Sequence, residues 1–449
     1  METTLHSLSK LFTERLFRIP DYQRGYAWEE KQLKEFWDDL NQLEVGKNHY
    51  TGVITFEPVS KEIFKNWEDD AWIIEAKKYE PYFIVDGQQR LTTAIILIQA
   101  ITEAAEKLEI TELNYTTLEE IKKKFIRELK STSQIPSFLF GYEKDNPSYE
   151  FLKRKVFLDN SDPSISLHDT IYTQNLIGAK QFFQLRLESM TKEDMEFVYK
   201  KATQHLLFAI YYIMDDIDVF VSFETMNNRG KRLSHLELLK NRLIYLTTRL
   251  DNQSYEINDL RKKINDSWKT IYHFLGKRKE KLFEDDIVLE NHFESYFSEP
   301  LDKKALNFYD DIGLFYFSND FSPKKSNDYI LNEIFNQKRI LKNTDNPLTY
   351  GEIQQYVNSL ANYFELWYNI LNPKQSDFGA NEKIYIEKVL KITQRKNQWV
   401  VFFIAAFYLI ETKNSVRTKF LEVFEKFLFI STLSARSHFR LDRVLRACL

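Results

Sequence analysis

A chain of 449 residues is too long for one ordinary core, and its 43% hydrophobic and 29% charged residues exclude a disordered one. The net charge of −4 excludes recruitment of nucleic acid by a global field, leaving local patches or a partner to supply any DNA contact. One cysteine, Cys448, excludes an intrachain disulfide and a multi-cysteine metal site, which fits a reducing compartment.

The N-terminal METTLHSLSKLFTERLFRIP has no basic stretch followed by an apolar one, so no signal peptide is expected. The strongest apolar run, 399–410, falls short of the roughly 20 residues that span a bilayer and reads as a buried helix. The expected location is the cytoplasm, with no membrane partner. Few Gly (11) and Pro (10) against 36 Phe and 25 Tyr favour helices packed on bulky cores.

Residues 5–16 read as a short helix or irregular lead-in. Residues 17–19 are extended, because Pro20 disfavours helix at Ile19. A helix follows at about 29–44, with Leu33, Phe36, Trp37, Leu40 and Leu43 on one stripe. Residues 50–59, 71–75 and 82–85 read as strands. Residues 88–108 form a helix, apolar at Leu91, Ala94, Ile95, Ile98 and Ile101, so a strand runs through Asp86-Gly87 straight into a helix N-terminus. A basic helix at 117–130 and a loop-rich stretch at 131–166, with Pro136, Pro147 and Pro163, come next. Then follow a helix at 175–191, a strand at 206–213 and a helix at 215–226 that Asn227-Asn228-Arg229-Gly230 breaks. Ser234 caps a further helix to about 249. Beyond 250 the pattern is almost all helix, and polar Asp251-Asn252-Gln253-Ser254 marks a domain boundary near 250–260.

The sharpest feature is Phe83-Ile84-Val85-Asp86-Gly87-Gln88-Gln89-Arg90-Leu91-Thr92-Thr93. A helix N-terminus offers unpaired N–H groups and the positive end of a dipole, which together bind anions. Gly87 lets the chain turn and a phosphate approach, Arg90 can fork onto phosphate oxygens, and Thr92 and Thr93 bring hydroxyl donors. Asp86 is placed to hold Mg²⁺ or orient water, and Gln88 or Gln89 to position an attacking water. Ordinary capping by Asp86, with Gln89 closing a capping box, explains part of this pattern but not two glutamines and an arginine together.

A second segment, Ile19-Pro20-Asp21-Tyr22-Gln23-Arg24-Gly25-Tyr26-Ala27-Trp28, gathers three rings around a Gln-Arg pair. Its rings can stack on a base while Gln23 and Arg24 bond a base edge or phosphate; a turn with core aromatics is the plain alternative. A third, Phe223-Glu224-Thr225-Met226-Asn227-Asn228-Arg229-Gly230-Lys231-Arg232-Leu233-Ser234, ends one helix and caps the next. Asn228 and Gly230 suit that stop, while Arg229, Lys231 and Arg232 exceed it. Lys240 and Asn241 can reach the same pocket from the following helix, with Glu237 balancing the charge.

Together these segments resemble the N-terminal component of GmrSD-type, type IV restriction systems. The family pattern runs I-P-x-Y-Q-R-x-Y-x-W, then D-G-Q-Q-R at a strand–helix junction, then F-x-x-x-N-x-R-G-x-x-L. Here these are Ile19 to Trp28, Asp86 to Arg90, and Phe223 to Leu233, with Asn227 at the motif asparagine. The resemblance covers roughly residues 1–250. It implies an α+β class: a ParB/sulfiredoxin-like nucleotide-binding domain with inserted helices over 1–250, then a mainly α-helical domain over 251–449 for DNA or partner contacts. It also implies a nucleoside triphosphate with Mg²⁺ at the D-G-Q-Q-R turn, where Gly87-x-x-Arg90 is similar to the phosphate-binding Gly-x-x-Arg of ParB-type CTPases. The implied catalytic residues are Asp86, Gln89 and Arg90, with Asp86 on the metal. Around the nucleotide would stand Tyr22, Gln23, Arg24, Gly87, Gln88, Thr92, Thr93, Asn227, Arg229 and Lys240. Relatives couple nucleotide binding or hydrolysis to the cutting of modified or phage DNA, with the nuclease usually a separate HNH-type domain, fused or on another chain.

The chain departs from that pattern in its histidines. His6, His49, His168, His205, His235, His273, His292 and His438 show no tight metal-ligand spacing, and Glu284-Asp285-Asp286 lacks a compatible Glu-x-Lys strand. The nuclease is therefore expected on a partner or a missing downstream domain, which also fits a chain that stops within a helical pattern. Arg436, Arg440, Arg443 and Arg446 recur near helical spacing and read as a DNA phosphate-binding stripe, as a solvated face, or as a docking site for the nuclease; 276–281 is also basic. The leading expectation is a nucleotide-binding, NTP-hydrolysing sensor or regulator of bacterial anti-phage restriction. Beside it stand a DNA-binding specificity module without turnover and a toxin-like or scaffold protein that holds a nucleotide structurally. Self-association into a homo-oligomer stays open as a further partnership.

Overall fold

Short apolar runs between polar breaks give the first part of the chain a mixed sheet, and long apolar stripes give the rest helices. The computed structural model describes residues 5–20, 22–44, 46–130, 136–144, 146, 148–159, 167, 169–212, 234–247, 249–250, 254–277, 285–297, 327–340, 346–393 and 398–433. The chain divides into two units, Met1–Arg232 and Leu233–Leu449.

In the first unit the elements are β1 (Leu5–Ser7), α1 (Leu8–Leu11), β2 (Arg15–Ile19), α2 (Glu30–Gln42), β3 (His49–Pro58), α3 (Lys61–Phe64), α4 (Ala71–Lys77), β4 (Glu80–Asp86) and α5 (Gln88–Lys107). They continue with β5 (Glu112–Leu113), β6 (Thr116–Thr117), α6 (Leu118–Phe125), β7 (Arg127–Leu129), β8 (Pro136–Phe138), β9 (Phe140–Tyr142), α7 (Ser148–Phe151), α8 (Ile171–Leu187), α9 (Lys192–Lys200) and β10 (Leu206–Tyr212). Six strands form one sheet in the order β1-β10-β3-β4-β2-β9, with parallel and antiparallel pairs mixed. The class is thus mixed α/β, with a mixed sheet in the first unit and helices in the second.

Helix α5 is the core of this unit. Leu91, Ile95, Ile98 and Ile101 are wholly buried, each side chain contributing about 1.5–3 kcal/mol. Ion-paired groups fix its far end. The Lys180 ammonium of α8 lies 2.7 Å from the Glu103 carboxylate and donates to the carbonyl of Val156 at 2.8 Å. Gln99 and Gln184 donate to the two oxygens of the same carboxylate. A buried pair needs such extra bonds to offset its desolvation.

Several elements differ from the sequence expectation. Residues 71–75 lie in a helix, not a strand: Ile73 and Ile74 are the buried positions of α4, and a short apolar run carries no period to tell the two apart. The loop-rich stretch holds β8 and β9, since Pro136 is tolerated as the first residue of a strand and Phe140 pairs with Phe17. The basic helix ends at Phe125, and 127–129 pairs with β8 instead. The lead-in starts as a strand beside β10. Helix α9, opened by a Thr191–Asp194 capping box, was not anticipated.

The second unit is helical, as its stripes predict: α10 (His235–Thr247), α11 (Ser254–Gly276), α12 (Asp285–Phe297), α13 (Tyr350–Leu371), α14 (Ala380–Ile392), α15 (Gln398–Ile410) and α16 (Asn414–Leu433). Its core is aromatic, with Trp268, Tyr356, Tyr363 and Trp367 buried. The apolar run at 399–410 falls within α15, where Val400, Ile404 and Ala405 are wholly buried. Among the described residues no helix is long and apolar enough to cross a membrane.

Candidate functional site

Parallel pairing of β2 with β4 places Arg18 opposite Phe83, so both strands end at one edge of the sheet. The segment after Ile19 and the turn after Asp86 therefore leave the sheet side by side. Strand β3 runs antiparallel to β4, and Thr55 opposite Asp86 closes that ladder. Residues 52–54 of β3 continue past the end of β4, and the first turn of α5 lies on them.

Gly87 makes this turn possible. Its φ is +84°, and a Cβ there would sit 2.9 Å from the carbonyl oxygen of Val53 and from the Ile54 side chain. Only glycine meets both demands without strain. The amide of Gln89 then clamps the neighbouring segment. Its oxygen accepts from the N–H of Ala27 at 2.8 Å, and its nitrogen donates to the carbonyl of Gly25 at 3.2 Å. From the other side Gln23 donates to the carbonyl of Val85 at 3.0 Å. The buried Tyr26 hydroxyl lies 2.6 Å from that of Thr93, and burial pushes its pKa upward. Asn175 of α8 donates to the carbonyl of Tyr26 at 3.1 Å. The first two sequence motifs are thus one structural object, held mostly by side chain-to-main chain bonds.

The predicted site residues divide accordingly. Asp86 ends β4 and is half-buried, as is Arg90, whose Nη1 donates to the carbonyl of Val53 at 3.3 Å. Tyr22 and Gln23 are half-buried beside the junction, and Arg24 is 7% exposed. Gln88 is also 7% exposed, and its side-chain Oε1 is buried with no hydrogen-bond partner among the described residues. An unmet buried acceptor is costly and calls for a donor. Two expectations need correction. Thr92 and Thr93 do not offer hydroxyls at the turn: both are buried and donate to the carbonyls of Gln88 and Gln89 one turn back. Gln89 is not placed to hold a water, since both its amide atoms bond main chain.

Asn227 and Arg229 lie outside the described residues, as do Arg436, Arg440, Arg443 and Arg446. Lys240 lies on α10 in the second unit, 4% exposed. Glu237 accepts from the N–H of Ser234 at 2.9 Å, a helix cap. Among the described residues no three His, Cys, Asp or Glu side chains gather as a metal site. Sequence reasoning missed Gly52, Val53 and Asn175. Nothing local in the chain marks them, because strand pairing and helix packing bring them to the junction.

The class defined here is an α/β domain with a glycine-led strand–helix junction, braced by a loop from the adjacent parallel strand. The chain belongs to the family of the GmrSD restriction endonuclease N-terminal domain, whose sequence profile matches residues 8–244. That membership makes it a component of a restriction system. No curated protein matches the chain.

Proposed function

We propose that the β4–α5 junction binds a nucleoside triphosphate with Mg²⁺ and hydrolyses it, as the sensor of an anti-phage restriction system acting on modified or foreign DNA. The nuclease comes from a partner or a further domain, and the sheet with its inserted helices has a ParB/sulfiredoxin-like core. One observation carries the reading: a buried Gln88 side-chain Oε1, without a hydrogen-bond partner among the described residues, at the start of a twenty-residue helix led by a left-handed glycine. Ligands of open α/β sheets bind beyond the carboxyl ends of strands, where this junction lies. The N–H groups of the first turn and the half-buried Arg90 guanidinium are the groups that would donate to phosphate oxygens.

Asp86 is the carboxylate that fits Mg²⁺, an ion commonly held by one or two carboxylates with phosphate oxygens and water. Bound there, the ion neutralises charge on the phosphates. The Gln88 oxygen is an acceptor, so it suits the proton of a water rather than a phosphate. Gln89, Gln23 and Tyr26 fix the loop that carries Tyr22 and Arg24 beside the turn. Hydrolysis by wild type and by Arg90→Ala tests the reading. Loss of one charged contact should weaken catalytic efficiency about 10–100-fold. Equal rates in both proteins remove the proposal, and tight, salt-sensitive duplex binding without nucleotide would replace it with a specificity module.

A further inference from the structure

The Arg90 guanidinium rests on a bare stretch of backbone. At Gly52 of β3 an added Cβ would lie 3.1 Å from Cζ, 3.2 Å from Nε and 3.3 Å from Nη1 of Arg90. Those separations are tighter than ordinary contact, so a side chain at Gly52 would oblige the guanidinium at the end of Arg90 to give way by a few tenths of an ångström. The same plane is held by the bond from Nη1 to the Val53 carbonyl, one residue further along the strand. Gly52 itself has φ +129°, a conformation that side chains rarely adopt. It sits opposite Phe208 of β10, where the ladder register shifts between Leu207 and Phe208. The strand thus departs from regular pairing at the point where the arginine lies on it.

We propose that Gly52 is a positioning residue for Arg90: the missing side chain leaves a seat on β3 that holds the guanidinium beside the Gly87 turn, ready for a phosphate group. This rests on the nucleotide reading above for its functional consequence, but the seat is a separate physical claim. A methyl group at Gly52 pushes the guanidinium off this seat by a few tenths of an ångström and stretches its 3.3 Å bond to Val53. Nothing about this role is visible along the chain, since Gly52 and Arg90 are far apart in sequence and Gly52 lies in none of the three motifs.

The test compares wild type, Gly52→Ala, Arg90→Ala and the double variant in the full chain. The ligands are inorganic tripolyphosphate and each of the four common ribonucleoside triphosphates, all with Mg²⁺. Gly52→Ala should weaken binding about tenfold or more, close to the effect of Arg90→Ala, with no further loss in the double variant. Gly46→Ala controls for backbone strain: Gly46 also has positive φ (+80°), but its added Cβ would meet nothing within 4 Å. It should bind like wild type.

Without ligand, phenylglyoxal should modify Arg90 several-fold faster in Gly52→Ala, read by mass spectrometry. Unchanged modification overturns the seat whatever the ligand results. Wild-type binding by Gly52→Ala, or losses that add in the double variant, also overturn it. If Arg90→Ala binds like wild type while modification still accelerates, the seat stands and the nucleotide reading fails. If Gly52→Ala does not fold, Arg90→Lys decides: lysine keeps the charge but has no flat group to lie on Gly52, so it should bind as weakly as Arg90→Ala, and wild-type binding overturns the seat.

Discussion

The junction of the first unit and two histidines of the second hold their polar side chains in different ways. At the junction of the first, Gln23, Gln89, Asn175 and Arg90 all bond main-chain atoms. In the second, histidines meet other side chains. His235 is held between Asp286 at 2.8 Å and Asp328 at 3.2 Å, while His292 is wholly buried among Tyr296, Tyr356 and Tyr363 with Ser359 at 3.0 Å. Main-chain partners have no proton to gain or lose, and they fix the path of a loop. Side-chain partners fix one helix against another and respond to pH. The junction should therefore be sensitive to mutation of its clamps, and the helices around His235 and His292 to acid and alkali.

The largest effect is expected where the first unit departs from the rule of its junction. Glu103→Ala leaves the Lys180 ammonium buried without its carboxylate and should cost about 3–5 kcal/mol. Native-state hydrogen exchange of α5 amides would register it. A loss below about 1 kcal/mol would show that the carbonyls of Lys155 and Val156 suffice for the ammonium.

Gln89→Leu comes next. It removes both bonds to residues 25–27 and should cost about 1–3 kcal/mol, with faster exchange confined to residues 22–28 and the start of α5. Faster exchange across the whole sheet would mean that Gln89 supports the fold at large and does not clamp one loop.

The smallest effect is also the sharpest in sign. Bonds to Asp286 first, and then to Asp328, raise the pKa of His235 above its ordinary 6.5, against an opposing cost of burial. Its contribution is complete below about 6.5 and is lost as pH rises through the folded value. Burial lowers the pKa of His292 to about 3. Its neutral ring contributes fully above about 6.5, and that contribution is lost as pH falls toward 3. Amides of α12, corrected for intrinsic exchange, should be best protected between these limbs. His235→Gln should flatten the alkaline limb and His292→Gln the acid one. A profile that does not change in either variant would end the contrast between the junction and these helices.

The sequence alone determined the turn and its helix. Asp86-Gly87 between an apolar run and the Leu91–Ile95–Ile98 stripe reads as a strand entering a helix, because the helical period and the one permissive residue are local. The helical character beyond 250 was legible for the same reason. The tertiary structure decided what the turn touches. The antiparallel partnership of β3 with β4 brings Gly52 and Val53 under Arg90, and the parallel one of β2 with β4 brings Gly25 and Ala27 to Gln89. Strand order follows from how the whole core packs, so it leaves no mark in the spacing of residues within a motif. The same cause hid α4 and the short strands β8 and β9: runs too brief to show a period take their form from the neighbours they pack against.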